Sequence, residues 1–267
     1  MTYCVGMMLD RGLVLMSDTR TNSGVDNISV FRKMYHWVKP GERIIALMTA
    51  GNLATTQAVI SRLEERTKAP EERQNSVLDL PTMFQIAGEI GKLLRETVRD
   101  TQDDNGMSGK GRFTASMIVA GQIKGMEPRL FMVYPEGNFI EASWDTPFFQ
   151  IGETKYGRPI LLRGYDRKMS FEDAVKLLMV SFDSTLKANL SVGLPVDLMV
   201  VERDGFAPLH ERRIEAGDPY FEATSRSWSE ALRNAFYTLP DYSFFSGSEQ
   251  PESGGAPSPT NSTPKRT

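Results

Sequence analysis

The sequence predicts an α+β fold in which two antiparallel sheets lie between layers of helix. Three observations lead there. Short apolar runs of strand length, separated by Gly-, Asp- and Asn-containing turns, fill most of residues 3–50 and recur in the middle and near the end of the chain. Between them stand two pairs of segments whose apolar residues recur at helical spacing. The order is thus strands, two helices, strands, two helices, strands, and each group of strands gains a covering layer of helix.

The elements follow in order. Tyr3 to Leu9 reads as a strand, and Arg11-Gly12 turns the chain into an apolar run that exits through Ser17-Asp18-Thr19-Arg20. A loop rich in turn formers (Asn22, Ser23, Gly24, Asp26, Asn27) leads to a strand that starts at Phe31-Arg32-Lys33-Met34-Tyr35. Residues 43–50 form another strand, which runs into the small-residue turn Ala50-Gly51 before a helix opens near Leu53. Helices are predicted over residues 53 to about 68 and 82 to about 101, the second with Met83, Ile86, Ile90 and Leu93-Leu94 on one stripe. After a polar loop at 103–111 come strands at 113–123 and 129–134, then a turn at Pro135-Glu136-Gly137-Asn138 and a return strand at 139–141. Residues 154 to about 162 and 170 to about 189 read as helices, the latter opened by the capping pattern Ser170-x-x-Asp173. Strands at 196–202 and 207–212, joined by an Asp204-Gly205 turn, complete the set.

Composition excludes several classes. The 267 residues are enough to bury a sizeable core, and the net charge of −3 offers no electrostatic footprint for nucleic acid. One cysteine, Cys4, rules out an internal disulfide framework and suits a reducing cytoplasm. No apolar run is long enough to span a bilayer, so no membrane partner is expected. His36 and His210 lie far apart with no ligand cluster around them, so neither a metal nor another cofactor is expected.

The candidate chemistry sits at the start. Met1 precedes Thr2, and processing normally removes a methionine that stands before a small side chain. Thr2 then carries a free α-amine beside its own hydroxyl, and that amine can serve as the base. An α-amine titrates near ~7.7–8.0, so a useful fraction is neutral at physiological pH without any histidine. Asp18 follows sixteen residues after Thr2, Lys33 lies on a later strand, and Gly51 sits in the turn before the first helix. A lysine ammonium lowers the pKa of a neighbouring hydroxyl, and an aspartate orients that lysine and keeps it charged. Arg20 is placed to anchor Asp18 through a bidentate ion pair. Each residue also has a purely structural reading: an exposed Asp18–Arg20 pair, a solvated Lys33, a turn glycine at 51.

Thr2, Asp18-Thr19-Arg20, Lys33 and Ala50-Gly51, in that order and spacing, resemble the proteasome β-type family of N-terminal-nucleophile hydrolases, and most closely its bacterial Anbu (ancestral β-subunit) type. The resemblance covers residues 2–213 and implies a four-layer αββα sandwich. It implies Thr2, Asp18 and Lys33 as the catalytic set, the Gly51 N–H as oxyanion donor, and Thr21, Thr49 and Leu53 around the specificity pocket. Two positions depart from the pattern. Glu153 stands where the family has a serine, and Ala188 falls at an expected aspartate, with Ser191 matching and Asn189 offering a neighbouring polar group.

The resemblance further implies peptide or unfolded-protein substrates, a homo-oligomeric ring or helical assembly, and an ATPase unfoldase as partner. The extra N-terminal helix of α-type subunits is absent before Thr2, which argues for the β type. Two other readings stand beside the peptidase: a small-molecule amidase with the same Thr2 nucleophile, and a catalytically silent ring-forming scaffold. Beyond the domain, residues 214–245 form an extension whose helix at 227–236 stripes Trp228, Leu232 and Phe236 against either its own domain or a neighbour. Residues 246–267, rich in Ser, Pro, Gly and Thr, read as a disordered tail.

Overall fold

The computed structural model describes residues 1–22, 28–68, 76–105 and 113–244. The tail at 246–267 and parts of the two polar loops lie outside these residues. One sheet has the order β10-β1-β2-β11-β12, with β1 Tyr3–Leu9, β2 Gly12–Asp18, β10 Phe148–Gly152, β11 Val196–Glu202 and β12 His210–Ile214. The other has the order β5-β6-β7-β8-β9, with β5 Met34–Lys39, β6 Arg43–Gly51, β7 Ala115–Ile123, β8 Arg129–Val133 and β9 Phe139–Glu141. Every pairing in both is antiparallel.

Three buried clusters define four layers. Helices α1 (Leu53–Lys68) and α2 (Met83–Asn105) press Val59, Leu63, Ile90 and Leu94 against Leu47, Val119 and Phe131 of the second sheet. Helices α3 (Arg158–Gly164) and α4 (Phe171–Ala188) press Leu161, Leu178 and Phe182 against Tyr3, Val5, Met16 and Leu198 of the first. Cys4, Leu15 and Met199 meet Ile44, Met48, Ile118 and Leu130 between the sheets. The expected αββα sandwich is therefore present. It also explains why β1 and β2 are buried at every position and read as continuous apolar runs: both of their faces are covered. Within β1 the two-residue period still sorts the side chains, with Tyr3, Val5 and Met7 toward α4 and Cys4 and Met8 toward the other sheet.

Several element boundaries differ from the sequence reading. Strand β10 lies where the sequence shows only a mixed stretch. A two-stranded ribbon of β3 (Arg20–Asn22) and β4 (Ile28–Val30) flanks what was read as loop. Helix α3 starts at Arg158, four residues later than expected, because Pro159 suits a first turn and not a helix interior. Helix α5 runs Pro219–Tyr237 and so begins well before residue 227. At α4 the expected cap is formed: the Ser170 side chain accepts the Asp173 N–H at 3.0 Å. The chain divides into two compact units, Met1–Trp228 and Ser229–Thr267. No helix among the described residues is long and apolar enough to cross a membrane.

Candidate active site

Three chain segments converge at one end of the sandwich. Thr2 immediately precedes β1, Asp18 ends β2, and Lys33 immediately precedes β5. The antiparallel register brings the first two together, since Cys4 pairs with Ser17, and the Tyr3 N–H donates to Asp18 Oδ1 at 2.8 Å. Lys33 Nζ donates to the same oxygen at 2.9 Å and to the Arg20 carbonyl. The Lys33 carbonyl accepts the Thr49 N–H at 2.9 Å, which fixes the lysine to β6. All three residues are buried, Asp18 at 0 %, Lys33 at 5 % and Thr2 at 9 % exposure, so this is an interior ion pair and not a solvated one.

Burial and charge oppose each other at Asp18. Desolvation raises its pKa to about 6, against the pull of the Lys33 charge and the Tyr3 and Lys33 hydrogen bonds. The α-amine, carried here by Met1, is held below its ordinary value, first by burial and then by the Lys33 charge, with Asp18 acting the other way.

Arg20 does not hold Asp18 as expected from sequence. Among the described residues Asp18 Oδ2 accepts no hydrogen bond, and Arg20 reaches Lys33 through its main-chain carbonyl. The physical reason is a break in the strand. Sheet pairing stops at Asp18 and a separate ribbon starts at Arg20, so the two side chains do not share a strand face. The Arg20 guanidinium lies instead near Gly193.

Two glycines close in on the site, each in a conformation and a space that exclude a side chain. Gly51 has φ +118°, and a Cβ there would stand 2.4 Å from the Thr114 carbonyl oxygen. Gly152 has φ +83°, and a Cβ there would stand 2.1 Å from the Thr2 carbonyl oxygen. The next residue, Glu153, is buried and donates its N–H to that same carbonyl at 2.6 Å. Its carboxylate accepts from the Lys155 N–H at 2.8 Å and from Asn189 Nδ2 at 3.0 Å. Asn189 Oδ1 in turn accepts the Ser191 N–H at 3.0 Å, while Ala188 is exposed. A hydrogen-bonded chain from Ser191 through Asn189 to Glu153 thus reaches the main chain of Thr2.

A cavity of about 210 Å³ opens on this arrangement. Thr2, Lys33 and Gly51 line it together with Thr21, Thr49 and Leu53, and Met1 lies in its wall. Arg32 and Thr56 line it as well, and neither was singled out from sequence. The helical period held a signal for Thr56, one turn below Leu53 at the start of α1. Arg32 offered only its position beside Lys33.

Comparisons with known proteins agree with one another. The family described as Proteasome subunit matches residues 2–201. The structure of Anbu from Hyphomicrobium sp. strain MC1 is similar at a TM-score of 0.83 and 48% identity, covering 91% of this chain and 100% of that one. A structure described as a helical assembly of the Anbu complex from Pseudomonas aeruginosa is similar at 0.84 and 42%, over 91% and 99% of the two chains. The proteasome subunit beta of Methanopyrus kandleri is 25% identical over 218 residues, 80% of this chain and 93% of that one.

Proposed function

Since the chain belongs to the proteasome subunit family and groups with its Anbu proteins, we propose that it is a threonine-type N-terminal-nucleophile peptidase working in a homo-oligomeric ring or helical assembly. The observation that carries the reading is the buried Asp18–Lys33 pair, tied to the first strand at Tyr3, in the wall of a cavity that Thr2 shares. While Met1 is attached, the Thr2 nitrogen is an amide and cannot act as a base. Its removal leaves a free α-amine on Thr2 beside the hydroxyl, in the cavity that Lys33 also lines.

The reaction then runs as acyl transfer. Thr2 Oγ1 attacks the carbonyl carbon and its proton passes to the Thr2 α-amine. The Lys33 charge favours the alkoxide character that develops, and Asp18 holds Lys33 in place through the 2.9 Å contact. The carbonyl oxygen becomes an oxyanion facing the Gly51 main chain, where one N–H donor is worth roughly 3–4 kcal/mol of barrier. Collapse breaks the C–N bond, the leaving amine takes the proton from the α-ammonium, and an ester on Thr2 remains. Water, deprotonated by the same amine, releases the acid and restores the enzyme. Glu153, Asn189 and Ser191 position Thr2 through its carbonyl and bear on the free amine. Thr21, Thr49 and Leu53 receive the substrate side chain.

Peptides or unfolded protein are the proposed substrates, with an ATPase unfoldase as the source of the latter. Glu153 and Ala188, which stand where the family pattern has a serine and an aspartate, support one other reading, a silent scaffold. A mixed peptide pool incubated with the Met1-free protein separates the two. Cleavage products seen by mass spectrometry, lost in Thr2→Ala and reduced but present in Thr2→Ser, are expected. Identical product patterns for wild type and Thr2→Ala overturn the peptidase.

A further inference from the structure

The cavity beside Thr2 carries a charge that the proposed reaction does not use. Of the residues that line it, Lys33 is engaged with Asp18 and the Arg20 carbonyl. Arg32 is the second cation, and no carboxylate lines the cavity among the described residues. Asp18 is fully buried behind Lys33, and the first turn of α1, which supplies Leu53 and Thr56, holds no acidic side chain. The other lining side chains are hydroxyls (Thr2, Thr21, Thr49, Thr56) and the apolar Met1, Ala50 and Leu53.

Arg32 is held in place without being used up. Its Nε donates to the Met34 carbonyl, and its guanidinium carbon lies 5.5 Å from the Tyr35 ring centroid. These contacts fix the direction of the planar fork. Its Nη2 meets Glu211 Oε1 at 3.3 Å, with the two side chains 46% and 44% exposed. An exposed pair of that length contributes little, so an incoming carboxylate displaces Glu211 at little cost. A guanidinium is the side chain best shaped to take a carboxylate in a bidentate way.

We infer that Arg32 sets substrate specificity, by binding a carboxylate on the residue whose carbonyl Thr2 attacks. Substrates are cleaved after Glu or Asp. This rests on the peptidase reading for the direction in which substrate enters, and it is open to a binding test that needs no turnover.

Fluorescein-labelled tetrapeptide amides ending in Glu, Gln or Lys are titrated against the full chain with Met1 removed, and anisotropy gives the affinities. The Glu peptide is expected to bind about tenfold more tightly than the Gln peptide, a charge-assisted contact discounted for the half-exposed guanidinium. Arg32→Gln removes that preference, Arg32→Glu turns it toward the Lys peptide, and Glu211→Gln strengthens it. Circular dichroism of each variant checks that the fold is kept. Equal affinities for Glu and Gln, no detectable binding of either, or a Glu preference that survives Arg32→Glu overturns the inference. The last result transfers the role to Lys33. Epoxyketones bearing the same three side chains give the second arm. Glu preference in binding with no adduct on Thr2 keeps the specificity and removes the peptidase; adducts formed equally with all three do the reverse.

Discussion

Asp18 has to be charged for Lys33 to be held, and burial works against that charge. With its pKa raised to about 6 by desolvation, Asp18 loses its charge as pH falls through that value, and Lys33 loses its anchor. The α-amine that Met1 removal leaves on Thr2, with an ordinary value near ~7.7–8.0, gains its neutral form as pH rises. Both trends have one sign, so the rate of covalent capture at Thr2 is expected to climb steadily from pH 5 to pH 8; a rate that is flat or falls over this range contradicts the assignment. The stability trend is opposite. Between the ordinary value of 3.8 and about 6 the folded chain holds a proton that the unfolded chain releases, so Asp18 lowers stability as pH rises through that window and no further above it. Denaturant titrations of wild type and Asp18→Asn should differ in slope there and run parallel above pH 7. Removing one partner of the pair should destabilise the fold by about 3–5 kcal/mol, while Asp18→Asn with Lys33→Met should recover much of that loss. Thr2, Asp18 and Lys33 were picked out by the family resemblance, and their proximity follows from the β1–β2 register and the Lys33–Asp18 contact. The Arg20 pairing was misread because sequence spacing does not show where a strand stops.

At the scale of elements, the turns at Gly51 and Gly152 shape the floor of the site. Gly41 and Gly152 both have left-handed backbones, but only at Gly152 does a Cβ strike the chain, at the Thr2 carbonyl. Gly41→Ala should therefore cost about 1–2 kcal/mol from conformation alone. Gly152→Ala should cost more than that and abolish capture at Thr2, as thermal melts and intact-mass assays of both variants will show. Ser170→Ala, which removes the cap of α4 far along the chain from Thr2, should cost ~1 kcal/mol and leave capture unchanged. The strands and long helices were readable from period and length. Strand β10 was not, because pairing with β1 makes it a strand: its five residues include Gln150, and Gly152 ends it. The β3–β4 ribbon escaped for a similar reason, being three residues on each side and set by cross-strand partners.

For the whole molecule, the layering was legible because a sheet covered on both faces leaves continuous apolar runs, as in β1 and β2. What covers the extension was not. Leu232 and Phe236, four residues apart on one stripe of α5, are 50% and 67% exposed, which makes them the candidate contacts to test in assembly. Light scattering should find the wild-type chain in species larger than one subunit. Leu232→Glu with Phe236→Glu should shift it to smaller ones while leaving the melt of the unit at Met1–Trp228 unchanged; an unaltered size distribution excludes the stripe from assembly.

Thr2, once freed of Met1, is proposed to be a competent nucleophile. Intact mass of the purified chain, before and after a peptide epoxyketone that reacts with both the amine and the hydroxyl of an N-terminal threonine, tests it most directly. Loss of Met1 and a single adduct are expected, absent in Thr2→Ala and slowed ~10²-fold or more in Lys33→Ala. A chain that keeps Met1, or one that loses it and stays unmodified, contradicts the claim.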